Sequence, residues 1–138
     1  MMKVLLIACG GAFGSVLRYL VSVLVHNWSA SSTARVFGHA IPLGTLTVNL
    51  IGCFLIGVLA GLFSRNIMPH DQYRLALTVG VLGGFTTFSA FGLDTFTLFQ
   101  RGHSWLAIVN VVANCVGGIV TVWIGIFIVQ CAMPIKSP

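Results

Sequence analysis

The chain has 138 residues, 57% of them hydrophobic and only 7% charged. A soluble domain carries about 25% charged residues, so a mean hydropathy of +1.02 excludes a water-soluble domain and reads as an integral membrane protein. The formal charge of +5 comes from seven scattered Lys and Arg residues, which is no footprint for nucleic acid and needs nothing beyond mild attraction to anionic headgroups.

A spanning helix needs about 20 mostly apolar residues, and four segments of the chain qualify. The first runs from Val4 to Val25. Lys3 gives it the look of a signal peptide, but no small-residue cleavage pattern follows, so it reads as a retained span. The loop from His26 to Ile41 carries Ser29, Ser31, Ser32 and Thr33 and has room for a short interfacial turn. The second span, Pro42 to Phe63, holds Thr45, Thr47 and Asn49. After a loop from Ser64 to Arg74, the third runs from Leu75 to Phe99 and is interrupted by Gly83-Gly84-Phe85-Thr86-Thr87-Phe88-Ser89-Ala90-Phe91. The fourth, Trp105 to Gln130, follows a short loop from Gln100 to Ser104. It sets Asn110, Asn114 and Thr121 on one helical face. The expectation is one all-α transmembrane domain over the whole chain, with the third helix broken mid-span.

Four spans put both termini on one side. That side carries Lys3, Arg65, Arg74 and Lys136, against Arg35, Arg101 and the nearer Arg18 opposite. Four against three is almost no bias. It permits insertion in both directions, and hence an antiparallel homodimer, as readily as one fixed orientation. Gly10 with Gly14, Gly57 with Gly61, and Gly80 with Gly84 have the spacing of close helix-packing faces.

The four cysteines (Cys9, Cys53, Cys115, Cys131) have no metal-ligand spacing and read as small buried residues. The histidines (His26, His39, His70, His103) form no cluster. No phosphate loop, catalytic triad or acidic pair points to an enzyme. Only Asp71 and Asp94 are acidic, and neither is central to a span, whereas a proton-coupled exporter needs an ionisable group near the midplane. What the spans hold is neutral and hydrogen-bonding. Any one such residue reads as an interhelical contact worth about 0.6 kcal/mol, but several on three spans read as a polar pathway.

In lipid an interrupted helix is tolerated where its freed backbone groups are buried in protein or line a cavity, which makes 83–91 the place to expect a small solute. Phe88 and Phe91, three apart, share a face if the helix resumes, and phenyl edges are electropositive. Ring edges, the amide of Asn49 and the hydroxyls of Thr87 and Ser89 would favour an anion without a fixed charge. Core packing is the alternative for the two rings.

Gly10-Gly11-Ala12-Phe13-Gly14 with Arg18-Tyr19, the run Gly44-Thr45-Leu46-Thr47-Val48-Asn49-Leu50-Ile51-Gly52, and the stretch from Gly83 to Phe91 resemble, in order, the motifs of the CrcB/Fluc fluoride channels. The resemblance covers essentially the whole chain. It implies a dual-topology antiparallel homodimer in the cytoplasmic membrane with two fluoride pores, and a structural sodium ion at the dimer interface. By motif position the sodium would be held by the carbonyls of Gly83 and Thr86. Phe88 and Phe91 would line the pore with Asn49, the hydroxyls of Thr87 and Ser89 would lie nearby, and Arg18 would sit near the wide vestibule. Asp94 resembles an acidic position of some members. The fourth span departs from the family, which has a tyrosine and hydroxyl residues there, so Asn114 and Thr121 are polar-track candidates on their own chemistry alone. A small dual-topology exporter of another solute and a non-transporting membrane subunit are the other classes the composition allows.

Overall fold

A computed structural model describes residues 1–31, 35–36, 39–40, 42–65, 67 and 71–133. Ser32, Thr33, His70 and Lys136 lie outside them. The described fold is all-α apart from one two-residue strand pair, with four helical segments long and apolar enough to cross a membrane.

Helix α1 (Met2–Ser31) is 30 residues long. It corrects the first loop, since the helix continues past Val25 through Ser31 where an interfacial turn is expected. No Gly or Pro interrupts His26 to Ser31, and the Ser29 hydroxyl donates to the His26 carbonyl at 3.0 Å, bonding back within the helix. Strands β1 (Arg35–Val36) and β2 (His39–Ala40) then pair antiparallel. Helix α2 (Leu43–Ser64) starts directly after Pro42, whose φ is −74°. Proline is well placed at a helix entry because its missing N–H has no partner there.

The third span is composite. Helix α3 (Asp71–Leu75) runs into a π-helical stretch, Ala76–Leu82, and a single turn α4 (Gly83–Phe85) follows. Thr86 (φ −80°, ψ 157°) and Thr87 (φ −148°, ψ 111°) are extended, and α5 (Phe88–Gln100) begins at the next residue. The π stretch has no signature in the sequence pattern. It lies where the third span meets α1, with a Cβ at Gly80 only 3.0 Å from the Ile7 carbonyl oxygen.

Helix α6 (Ser104–Ala132) returns antiparallel to α5 through a tight C-terminal cap. His103 N–H donates to Leu98 O at 2.9 Å and Gly102 N–H to Phe99 O at 3.0 Å. This 6→1 and 5→2 pairing needs a left-handed residue between helix and exit, and Gly102 supplies it with φ 77°. Leu98, Leu106 and Ala107 cluster beneath the turn.

Two seams hold the helices. Along one, α1 packs on the π stretch and α4, and a Cβ at Gly14 would overlap the Val81 carbonyl while one at Gly84 would overlap that of Gly11. Along the other, α2 packs on α6, where Gly57 meets the Val122 carbonyl and Gly125 that of Phe54. The expected glycine faces are therefore packing faces. The outer surface is apolar, as lipid contact requires: Val16, Leu24, Ile119 and Trp123 are all exposed. The cysteines correct another expectation, because Cys9, Cys115 and Cys131 are exposed and only Cys53 is half-buried. A small apolar side chain needs no burial in protein when its surroundings are lipid.

Candidate functional site

The extended pair Thr86–Thr87 redirects backbone donors. In a continuous helix the Gly83 carbonyl would accept from Thr87 N–H and the Thr86 carbonyl from Ala90 N–H. Instead Thr87 N–H donates to Asn49 Oδ1 at 2.9 Å, and Ala90 N–H donates to Thr87 Oγ1 at 3.2 Å. The latter makes Thr87 the N-cap of α5. Gly83 and Thr86 thus lose their helical donors, and their oxygens have the chemistry of hard-cation ligands. Thr86 Oγ1 is turned away, donating to Leu82 O at 2.9 Å.

Asn49, from the second turn of α2, clamps the break at two points. Its Oδ1 takes the Thr87 N–H, and its Nδ2 donates to Thr87 O at 3.3 Å and to Asn114 Oδ1 at 2.9 Å. Asn114 on α6 donates in turn to Asn110 O at 3.0 Å and Asn110 Oδ1 at 3.1 Å. Asn110 is only 1% exposed and donates to Thr95 Oγ1 at 2.9 Å. Among the described residues every buried side-chain polar atom has a partner.

These groups border an open groove of about 420 Å³ between α2, the third span and α6. Asn49, Gly83, Thr86, Thr87, Phe88, Phe91 and Asn114 all line it, and none of its lining residues is ionisable apart from the thiols of Cys53 and Cys115. The Phe88 and Phe91 rings lie 5.4 Å apart, tilted 59° to each other. They differ in burial: Phe91 is 8% exposed and Phe88 81%, so Phe88 projects out of the single chain. The Thr87 and Ser89 hydroxyls lie 3.3 Å apart. Whichever donates to the other, one O–H of the pair keeps its hydrogen free.

The groove shares Ile56 and Thr78 with a wider basin of about 840 Å³, which Lys3, Ser64 and Arg74 also line. The Arg74 guanidinium lies 4.6 Å over the Phe63 ring, an arrangement that places the cation without neutralising it.

Three expected site residues do not line the groove: Ser89, which is exposed and meets it through the Thr87 hydroxyl, Thr121 and Arg18. Thr121 donates to the Gly117 and Gly118 carbonyls of its own helix at 2.9 and 3.0 Å. Arg18 is half-buried on α1, which contributes no lining residue to the groove. Two contacts lie outside the sequence reading. Thr45 donates to Asp94 Oδ2 at 2.7 Å, and Thr95 links Asn110 to the Phe91 carbonyl, donating to that oxygen at 2.8 Å. The i, i+4 spacing of Phe91 and Thr95 is the only sequence signal for the latter.

Four apolar spans, three of which enclose a neutral, hydrogen-bonding groove without fixed charge, define a multi-pass membrane protein. Residues 5–126 match the family model described as CrcB-like protein, Camphor Resistance (CrcB). The chain belongs to the CrcB family. It is similar to the fluoride-specific ion channel FluC of Solibacter usitatus, 43% identical over 90% of this chain and 95% of that one. The FluC of Rhizobium etli (strain ATCC 51251) is 44% identical over 94% of this chain and 98% of its own length. That of Rhizobium leguminosarum bv. trifolii is 51% identical over 75% and 77%.

Proposed function

We propose that the chain is a fluoride-selective channel that lets fluoride leave the cytoplasm down its gradient, working as an antiparallel homodimer in the cytoplasmic membrane. The observation that carries this reading is the groove itself: two phenyl rings and the Thr87 hydroxyl, with Ser89 beside it, along an extended backbone, and no ionised side chain among the lining. Relatives at 43–51% identity that are named fluoride-specific channels support the choice of ion. HF crosses a bilayer neutral and dissociates in the cytoplasm, so a cell exposed to acid fluoride needs an exit for the anion.

In this mechanism the ring edges of Phe88 and Phe91 attract the anion electrostatically. The free hydroxyl hydrogen of the Thr87–Ser89 pair replaces part of its hydration shell. Asn49 and Asn114 border the path but have their amide hydrogens engaged, so their part is to hold its wall. Thr121, whose hydroxyl bonds within its own helix, and Arg18 on α1 have no part in the wall of this groove. Proton coupling has no carboxylate along the groove to run through.

Gly83 and Thr86 fit a structural sodium ion through their freed carbonyls, repeated by symmetry in the second protomer. Bound there, the ion would supply a fixed positive charge that braces the dimer and screens the pore. The 81% exposure of Phe88 and the near-even charge count across the membrane support the second protomer.

Proteoliposomes loaded with fluoride, with voltage dissipated by a potassium ionophore, test the reading. Fluoride release with no matching chloride release is the expected result. No fluoride flux, or equal chloride flux, would return the chain to the exporter or subunit classes.

A further inference from the structure

The side chains around the break form a hydrogen-bond circuit that leaves the third span and returns to it four residues on. Thr87 N–H donates to Asn49 Oδ1 (2.9 Å), Asn49 Nδ2 to Asn114 Oδ1 (2.9 Å), and Asn114 Nδ2 to Asn110 Oδ1 (3.1 Å). Asn110 Nδ2 then donates to Thr95 Oγ1 (2.9 Å) and Thr95 Oγ1 to the Phe91 carbonyl (2.8 Å). Every link donates in the same direction. The circuit begins on a backbone N–H, which can only donate, and ends on a backbone carbonyl, which can only accept. Turning over Asn49 or Asn114 would set donor against donor at one contact and acceptor against acceptor at the other, and turning over Asn110 would set its Nδ2 against that of Asn114. All three carboxamides are therefore held in one orientation, and aligned hydrogen bonds of this kind polarise and strengthen one another.

The segment that the circuit brackets, Thr87 to Phe91, carries both phenyl rings and the hydroxyl pair. Local helix geometry cannot hold it alone, because Thr86 and Thr87 are extended and the first turn of α5 has no preceding turn to bond to. We propose that this circuit is a splint that fixes the pose of Phe88 and Phe91, and that Asn110 and Thr95 are positioning residues for conduction. Neither lines the groove, and Thr95 reaches it only through the carbonyl of Phe91. The proposal rests on the channel reading and deepens it: the pore wall is held by the polarity of the amide chain as much as by packing.

The test compares Thr95→Val with Thr95→Ser in fluoride efflux from proteoliposomes, normalised to folded protein. Valine keeps the shape and removes both the donor and the acceptor, whereas serine keeps the hydroxyl and loses a methyl. Efflux is expected to fall roughly five- to tenfold with valine, as losing a hydrogen bond and stranding Asn110 Nδ2 implies, and to return to within about twofold of the parent with serine. A merely structural role would give the opposite order, because valine preserves packing better. Should the valine variant fail to fold, Thr95→Cys takes its place, being the size of serine but a weak hydrogen-bonder. Equal efflux from the valine (or cysteine) and serine variants, with the parent conducting, overturns the splint alone. A parent protein with no fluoride efflux overturns the channel reading and the splint with it.

Discussion

The two halves of the third span are held by opposite means. Upstream of Thr86, the π stretch and α4 lie against α1 through glycines, backbone on backbone, with no side chain between them at Gly14 and Gly84. Downstream, α5 is held to α2 and α6 through side chains: the Asn49 clamp, the Asn110–Thr95 link and the Thr45–Asp94 bond. The extended pair falls at the junction. A helix docked on two partners by two kinds of contact has no reason to keep one continuous ladder, and Asn49 supplies the donor and acceptor that the missing ladder would have supplied. Glycine seams in lipid give rigidity through close approach. Amide seams give direction, since each group must face its complement.

The contrast predicts which half is the less forgiving. Gly14→Val should have the largest effect of any change proposed, because the new side chain meets the Val81 carbonyl and the Phe85 amide nitrogen, which cannot move aside without moving the span. Overpacking usually costs about 1–3 kcal/mol, and a clash with backbone belongs at or above the top of that range. The expected outcome is loss of a monodisperse species in detergent chromatography. A variant that purifies and melts like the parent would show that the glycine seam is loose.

Asn49→Leu attacks the other seam and should rank second. It strands the Thr87 N–H and Asn114 Oδ1, each at about 1–3 kcal/mol for a buried unsatisfied group, partly relieved by water in the open groove. The protein should still assemble, with a lowered melting temperature and fluoride efflux reduced by roughly tenfold or more. Efflux near the parent level would mean that the break keeps its shape without the clamp.

How far the sequence anticipates these seams follows from their chemistry. Span boundaries come from hydropathy, and those of the second and fourth helices agree with the structure to within two residues. Glycine spacing marks the packing faces directly, because a missing side chain has only one use there. The amide seam is half legible: Asn110 and Asn114 reveal a shared face, but their partners lie on other helices. Thr95 looks like any threonine near a helix end until Asn110 is seen beside it. The π stretch leaves no trace at all, since Ala76 to Leu82 reads as an ordinary apolar helical run. The overrun of α1 past Val25 is hidden by a serine-rich stretch, in which the Ser29 hydroxyl turns its hydrogen bond back into the helix.

The two rings separate conduction from stability within the amide-held half. Phe91 is 8% exposed, so Phe91→Ile removes buried volume and should cost on the order of 1–2 kcal/mol as well as flux. Phe88 is 81% exposed, so Phe88→Ile should reduce fluoride efflux with little change in protomer stability. Unaltered efflux in both variants would reduce the rings to packing.

Thr121→Val should do least, and its silence is informative. Thr121 lies on the same face of α6 as Asn110 and Asn114, so a polar track read from helical spacing alone gives all three equal weight. Their contacts are unequal. Both Asn residues bond across to other helices, while the Thr121 hydroxyl spends its hydrogen on carbonyls of its own turn, where it satisfies itself and orients nothing. Its removal should cost no more than the ~0.6 kcal/mol of an average membrane hydrogen bond and leave efflux unchanged. A clear loss of efflux would mean that the path extends along α6 beyond the groove, past Gly118. The wall of the path would then be longer than the amide circuit, and the splint would hold only its inner end.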